Sequence, residues 1–298
     1  MKCVYIYNPT SGKQRNSRFK DYVVSRLNEK FDVVDCKPTG KRGDAGQFAK
    51  EACGVYDVLV ISGGDGTMNE VINGLANQEN RPKIGYIPTG TTNDLAHSLR
   101  ISKKPKKALD IILAGNTIKH DIFKVNDKFG IYVCAFGIFT GSSYEASQKS
   151  KKHLGRLAYF KYGAKELFAS KPFDLTLKYQ NASLSGNFVL GIIANSRFVA
   201  GYKIDKMSTY DDGFVNVILV KTNLKKHISL TSLFRIARLF LFGMRNLRHN
   251  KKCIILKLDK FAVDVPKSTI INLDGEKGFN GSFEFEVLKQ HVEIFVKK

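Results

Sequence analysis

The stretch Asp57-Val58-Leu59-Val60-Ile61-Ser62-Gly63-Gly64-Asp65-Gly66-Thr67 decides the fold. Its first six residues are a continuous β-rich run between polar flanks, the pattern of a strand buried on both faces of a parallel sheet. A helical pattern follows from Met68 to Leu75. The glycines around one carboxylate let the intervening turn adopt positive φ and let a ligand reach main-chain N–H groups. Thr67 is expected as the helix N-cap, with Glu70 completing a capping box. Strand, glycine turn and helix N-terminus together suit an anion of phosphate size. They also suit a plain β-to-α turn, so the rest of the chain has to decide.

Outward from this turn, strand and helix alternate. Strands are expected at Cys3–Tyr7, Phe31–Cys36, Val58–Ile61 and Lys83–Ile87, with helices at Phe19–Leu27, Asp44–Cys53, Met68–Leu75 and Pro105–Leu113. This succession predicts an open, parallel, Rossmann-like α/β layer that binds ligands beyond the carboxyl ends of its strands. After about Asp121 the pattern changes to short alternating runs, at Phe129–Phe136, Phe173–Tyr179, Asn187–Ile193, Phe214–Val220, Cys253–Leu258, Phe261–Val265, Ile270–Leu273, Phe283–Val287 and Val292–Val296. Closely spaced strands predict a β-rich, sandwich-like second domain. Helical stretches interrupt it near His153–Ala169 and Ile228–Phe242. The expected division is 1–122 plus a returning C-terminal strand, 289–298, against 123–288.

The 298 residues, 43% of them hydrophobic, can bury substantial cores. No apolar run reaches membrane-spanning length, and the start of the chain resembles a first strand more than a signal peptide. Five scattered cysteines lack metal or redox spacing and are expected reduced, as in a cytoplasmic protein. A formal charge of +21 points to an anionic partner, whether nucleic acid, membrane surface or polyphosphate. No nucleic-acid-binding signature is present.

Two further loops follow expected strands in the same manner. Asn8-Pro9-Thr10-Ser11-Gly12-Lys13 comes after the first strand and Pro88-Thr89-Gly90-Thr91-Thr92-Asn93-Asp94 after the fourth. Three strand ends with small, N–H-presenting loops suit a crevice for a polyphosphate. These loops, in order with Thr39, Gly43-Asp44-Ala45, His120-Asp121, Asn195-Ser196-Arg197-Phe198, Asp211-Asp212-Gly213 and Asp274-Gly275-Glu276, resemble the signature of the diacylglycerol kinase catalytic family, which is related to sphingosine and ceramide kinases.

That resemblance implies an ATP site made by Asn8, Pro9, Thr10, Ser11, Gly12, Thr39, Gly64, Asp65, Gly66, Thr67, Met68, Asn69, Glu70 and Thr91. It implies a Mg²⁺ and water network around Asp65, Asp94 and Asp121. Thr209, Asp212 and Phe214 would hold a second, structural Mg²⁺, Asp212 through its side chain and the other two through carbonyl oxygens. One carboxylate of Asp274-Gly275-Glu276 would accept the proton of the lipid hydroxyl. Glu276 is assigned that role with Asp274 as its electrostatic partner, although the sequence does not separate the two. By itself the triplet also reads as an acidic hairpin turn, Asp94 as a helix N-cap and Asp211–Gly213 as an ordinary turn.

The implied reaction moves the γ-phosphoryl group of ATP to a membrane lipid, with diacylglycerol the leading acceptor and phosphatidic acid the product. Competing readings are an NAD kinase, a kinase of another lipid such as a sphingoid base or undecaprenol, and a silent membrane-bound nucleotide sensor. Val199–Lys206 departs from the family by keeping only Gly201 of a usual glycine cluster, and Ala194 stands where glycine is common. Both changes fall on the cleft wall and bear on substrate choice. Docking to the inner face of an anionic membrane would use Lys13, Arg15, Arg18 and Lys20; Lys149, Lys151, Lys152 and Arg156; or Arg235, Arg238, Arg245 and Arg248. The helix carrying Arg235 and Arg238 has apolar residues over most of its circumference, which suits core or interface better than membrane insertion. A homodimer is left open.

Overall fold

The computed structural model describes residues 1–9, 17–138, 171–205, 209–224, 227–247 and 250–298. The expected helix at His153–Ala169, the cluster Lys149–Arg156, and Thr10, Ser11, Gly12, Lys13, Arg15, Lys206 and Arg248 lie outside the described residues.

Four parallel strands form the amino-terminal sheet: β1 (Lys2–Tyr7), β2 (Val33–Pro38), β3 (Val58–Gly63) and β4 (Lys83–Pro88), in the order β2-β1-β3-β4. Every residue of β3 is buried, as its unbroken apolar run requires. Helices α1 (Ser17–Asn28), α2 (Asp44–Ala52), α3 (Asp65–Leu75), α4 (Asp94–Ser98) and α5 (Pro105–Ala114) accompany them. In α3 the apolar positions Met68, Val71, Ile72 and Leu75 recur at helical spacing and are buried together. From β1 the chain passes to β2 on one side, and from β3 to β4 on the other. The loops after β1 and β3 therefore part at a topological switch point, where an open α/β sheet leaves a crevice.

The carboxyl-terminal half is built on β5 (Thr117–Val125), β6 (Lys128–Gly130), β7 (Val133–Gly137), β8 (Phe173–Tyr179) and β9 (Ala182–Ala194). The hairpin β10 (Phe198–Val199) and β11 (Tyr202–Lys203) follows, then β12 (Val215–Lys221), β13 (Cys253–Leu258), β14 (Lys260–Asp264), β15 (Ile270–Leu273), β16 (Glu276–Asn280) and β17 (Phe283–Phe295). Its core is aromatic: Phe123 and Phe261 both stack on Phe285, at 5.0 and 4.7 Å between ring centres, with Phe136 and Phe188 also fully buried.

One antiparallel ribbon, β5 with β17, passes through both halves. Near its start β17 pairs with β14, and near its end Ile294 pairs in parallel with Ile84 of β4. The result is a single continuous sheet, and the expected division at 122/123 and 288/289 falls within two uninterrupted strands. Opposite Asp121 the ribbon is irregular: Lys289–His291 bulge out between Leu288 and Val292, with Gln290 at φ 50°.

Several elements differ from the sequence expectation. Helix α3 begins at Asp65, with Gly64 in the N-cap position and no side-chain cap, so Thr67 lies in the first turn and no capping box forms. Thr67 packs instead against the turn, where a Cβ on Gly63 would meet its side chain at 2.6 Å. Strand β5 escapes alternation because its centre, His120-Asp121, is polar yet fully buried. The two strands expected at Phe283–Val287 and Val292–Val296 are one, and an additional strand, β16, follows the Asp274-Gly275 turn. Helix α6 (Leu230–Phe242) buries Ser232, Ile236 and Leu239 and leaves Leu230, Phe234, Leu241 and Phe242 exposed, so core covers one face of it only. Among the described residues no helix is long and apolar enough to cross a membrane.

Candidate active site

The turn after β3 and the loop after β4 touch through their backbones. A Cβ on Gly90 would stand 2.6 Å from the Cα of Gly64, and the N–H of Thr89 donates to the carbonyl of Gly63 at 2.8 Å. Glycine at position 90 permits this approach, and a Cβ on Gly64 would crowd the Gly90 Cα at 3.2 Å. Asn93 secures the second loop from within. Its amide donates to the Gly90 carbonyl at 2.8 Å, its Oδ1 accepts from the Tyr86 hydroxyl at 3.2 Å, and its N–H donates to Asp65 Oδ2 at 2.8 Å. Its φ of 55° is one that asparagine adopts at low cost. The first turn of α3 thus directs N-terminal N–H groups and its dipole toward the crevice.

The third loop follows β1, and Asn8 and Pro9 are its described members. Thr39, at the end of β2, donates its N–H to the Tyr7 carbonyl at 2.9 Å and so stands beside this loop. Thr91 is exposed on the loop after β4. Met68 is buried in the core of the α/β half, and Asn69 faces the β-rich half. Neither side chain points at the anion site. The carbonyl of Glu70 lies where a Cβ on Gly46 of α2 would meet it at 2.9 Å, which makes it part of the α2–α3 contact.

The acidic residues singled out from the sequence separate into distinct environments. Asp65 and Asp94 face one another electrostatically. Burial, then the negative charge of Asp94, pushes the Asp65 carboxyl up to about 7, and its Oδ1 is buried without a hydrogen-bond partner. Asp94 is buried and accepts the N–H of Gly201, from the β10–β11 turn, at 2.8 Å. A carboxylate of high proton affinity with one orphaned oxygen beside a second acid fits a hard divalent cation such as Mg²⁺, which takes one or two carboxylates plus water and phosphate oxygens.

Asp121 is built into another joint. It lies inside β5, where its Oδ1 accepts the N–H of Gln290 in the β17 bulge and its Oδ2 that of Gly213, both at 2.6 Å. Burial raises its carboxyl above the ordinary range against the pull of these two bonds, with Asp212 and Asp211 adding repulsion. These bonds tie Asp121 to the Thr209–Phe214 loop and to the β17 bulge. In that loop Asp212 Oδ2 accepts from the Thr209 hydroxyl at 2.6 Å and from the Lys257 ammonium at 2.7 Å, while Oδ1 accepts from the Phe214 N–H at 3.0 Å. The Thr209 hydroxyl and the Phe214 N–H thus meet Asp212 as hydrogen-bond donors, and Lys257 brings a positive charge to its carboxylate. Burial works against ionisation of Asp212, but Lys257 and Thr209 hold its carboxyl below the usual range.

Asp274 and Glu276 face opposite ways. Asp274 and Gly275, at φ 50° and 85°, are the two-residue turn joining β15 to β16, the backbone of a type I′ hairpin. The Asp274 carboxylate is fully buried and accepts four hydrogen bonds: the N–H groups of Ile131, Tyr132 and Val133 at 2.8, 2.9 and 3.0 Å, and the Asn69 amide at 2.9 Å. Burial dominates and raises its carboxyl despite these donors. Glu276, across the turn, reaches the α/β half. A Cβ on Gly66 would lie 3.2 Å from Glu276 Oε1, and Arg42 stands 3.7 Å from its Oε2. The carboxylate is 46% exposed, so it opens to the crevice while touching the first turn of α3.

Sequence reading missed two contributors. Asn73, one turn beyond Asn69, brackets the backbone of Phe129, accepting its N–H at 3.0 Å and donating to its carbonyl at 2.9 Å. Two amides spaced i, i+4 on one helix face are the signal that could have revealed this joint. Arg42, lying in the loop before α2, carries no local mark that it would meet a residue more than two hundred positions away.

Comparison with known proteins agrees with the signature. A family model described as the diacylglycerol kinase catalytic domain matches residues 2–125. Over 295 residues the chain is 34% identical to a diacylglycerol kinase of Staphylococcus carnosus, covering 98% of this chain and 94% of that protein. A diacylglycerol kinase of Staphylococcus epidermidis is likewise 34% identical over 297 residues, with coverage of 98% and 91%. In fold, the crystal structure of a diacylglycerol kinase from Bacillus anthracis superposes with a TM-score of 0.83 at 21% identity, covering 99% of this chain and 97% of that one. An NAD kinase from Archaeoglobus fulgidus in complex with ATP gives 0.51 at 15% identity, over 99% and 93%. Length-wide identity, the family model and the shared fold place the chain, as a kinase, in the diacylglycerol kinase family.

Proposed function

We propose that the protein transfers the γ-phosphoryl group of ATP to the hydroxyl of a membrane lipid, diacylglycerol being the leading acceptor, in the crevice between the α/β sheet and the β15–β16 hairpin. The observation that carries this reading is the seat of Glu276 against Gly66. A carboxylate from one half meets the phosphate-binding turn of the other, within reach of a hydroxyl aimed at a bound phosphate. The relatives' names support the acceptor, and the loops after β1, β3 and β4 support a triphosphate donor.

Backbone N–H groups of the Gly64–Thr67 turn and the Gly90 loop hold the phosphate chain. Glu276 accepts the proton of the lipid hydroxyl. The freed oxygen forms its bond to the γ-phosphorus as the bond to the β-phosphate oxygen breaks, and the electron pair departs with ADP. Mg²⁺, which Asp65 and Asp94 would hold, supplies neutralisation of triphosphate charge when bound. Arg42 orients Glu276 and adds positive charge at the mouth.

The test is Glu276→Gln assayed with labelled ATP and mixed micelles containing diacylglycerol, sphingosine, ceramide or undecaprenol, with NAD as a soluble control. Turnover is expected to fall by at least ~10³-fold while nucleotide binding persists. Near-normal turnover would remove Glu276 as the base, and absence of labelled product from every acceptor with the unaltered protein would remove the kinase reading.

A further inference from the structure

We infer that the outer face of α6 is a docking surface for an anionic phospholipid bilayer. Leu230, Phe234, Ala237 and Leu241 recur at i, i+4, i+7 and i+11 and form one stripe. Leu230 is 79% exposed, Phe234 67%, Leu241 67% and the adjoining Phe242 62%. Elsewhere on the described surface, exposed large hydrophobic residues occur singly or in chain-terminal and loop positions. A helix that leaves two phenylalanines and two leucines in water presents them to something.

Charge decides the occupant. Arg238 and Arg245, both exposed, stand beside the stripe, and the sequence from His227 to Leu247 contains no acidic residue. A second copy of this chain would bring like-charged rims together, which opposes an isologous contact. An anionic lipid surface matches both features, since its headgroups attract arginine and its acyl boundary takes up phenylalanine and leucine. Thirteen residues make a helix of ~20 Å, short of the ~30 Å hydrocarbon core, so α6 lies on the bilayer and does not span it.

The stripe is connected to the site. Phe240, on the inner side of α6, packs edge-on against Tyr202 of β11 at 5.6 Å, and the turn of that hairpin donates the Gly201 N–H to Asp94. Contact with the bilayer thus lies one hairpin away from the crevice. The inference rests on the reading of the acceptor as a membrane lipid, but its test needs neither acceptor nor nucleotide.

The chain contains no tryptophan, so Phe234→Trp creates a single reporter at an exposed position. With vesicles of equal phosphatidylcholine and phosphatidylglycerol its emission is expected to shift to the blue and to be quenched by brominated acyl chains. Pure phosphatidylcholine vesicles should bind far more weakly. Replacing Arg238 and Arg245 together by glutamine should weaken binding about 25-fold, about fivefold for each arginine. Phe234→Ser with Leu241→Ser should weaken it at least ~tenfold.

Emission that stays red with both vesicle types would overturn the inference. So would emission already blue in buffer and dependent on protein concentration, because the stripe would then join two copies. Turnover of a short-chain, water-dispersed acceptor, measured in parallel, separates the two readings. Turnover without vesicle binding overturns the docking surface alone, and vesicle binding without turnover upholds it while removing the kinase assignment.

Discussion

Replacing Asp274 by asparagine tests whether this acid is an anchor or part of the chemistry. The backbone is not a confounding factor, because asparagine tolerates the positive φ of 50° at this position as well as aspartate does. The side chain differs sharply. Its carboxylate accepts four hydrogen bonds, two at each oxygen. An amide retains one carbonyl, which can still accept from Tyr132 and Val133, while its NH₂ group confronts the N–H of Ile131 and the amide of Asn69. Two buried donors lose their acceptor, at about 1–3 kcal/mol each. Relief from burying a charge, evident in the raised carboxyl of Asp274, offsets part of this loss. The net expectation is a destabilisation of about 2–4 kcal/mol, a large share of the ~5–15 kcal/mol typical of a folded domain. Urea unfolding followed by circular dichroism measures it, with Glu276→Gln as the comparison, since that exposed side chain should shift stability by less than about 0.5 kcal/mol. If Asp274→Asn proved as stable as the unaltered chain, the anchoring role would be refuted and a chemical role for Asp274 would regain its place.

Three further outcomes are expected. Asp65, with its carboxyl raised to about 7 against an ordinary ~3.9, takes up a proton in the folded state that the unfolded chain has released. Metal-free protein should therefore lose stability as pH rises from about 4 through 7, and Asp65→Asn should flatten that slope and be more stable by about 1–3 kcal/mol at pH 8 in a urea titration, while losing turnover. Gly90→Ala places a Cβ 2.6 Å from the Gly64 Cα and 2.7 Å from Asn93 Oδ1, so the two loops must separate; calorimetry should show nucleotide affinity reduced at least ~tenfold. Ala200 sits at φ 52° in the β10–β11 turn, where Ala200→Asn should raise stability by about 0.5–1 kcal/mol, read as an increase in Tm.

Local sequence revealed the parts of this molecule governed by local physics. The run Val58–Ile61 reads as a buried strand because it has no polar face to hide, and Phe19–Leu27 as a helix because its apolar positions repeat at helical period. The glycine- and hydroxyl-rich loops after β3 and β4 were legible for the same reason, since backbone geometry there depends on residues adjacent in the chain. Strand β5 was not legible. Its His120 and Asp121 resemble a surface pair, and only the β17 bulge and the Asp211–Gly213 loop, far away in sequence, account for their burial. Asp212 shows the same limit from the other side. Nothing in its loop signals that Lys257, forty-five positions on, brings an ammonium group to its carboxylate. Long-range partners decide whether an acid binds a ligand or its own protein, and such partners leave no periodicity to read.

Seen together, the acids of this fold divide by what holds their oxygens. Asp121 ties the ribbon to the Asp211–Gly213 loop, and Asp94 receives the tip of the β10–β11 hairpin. Both join the α/β half, or the ribbon leaving it, to the β-rich half by charge-assisted bonds to backbone N–H groups, the kind that fix geometry most firmly. Asp274-Gly275-Glu276 contains this division in three residues. The first is clamped to Ile131–Val133, the second completes a turn that only two positive φ values can make, and the third is thereby held over Gly66. In the proposed reaction Glu276 must meet a hydroxyl in an open, solvated setting, and such a setting cannot hold a flexible side chain in place. Asp274 supplies the rigidity two residues away, so its contribution to turnover should come through the position of Glu276 and not through contact with substrate.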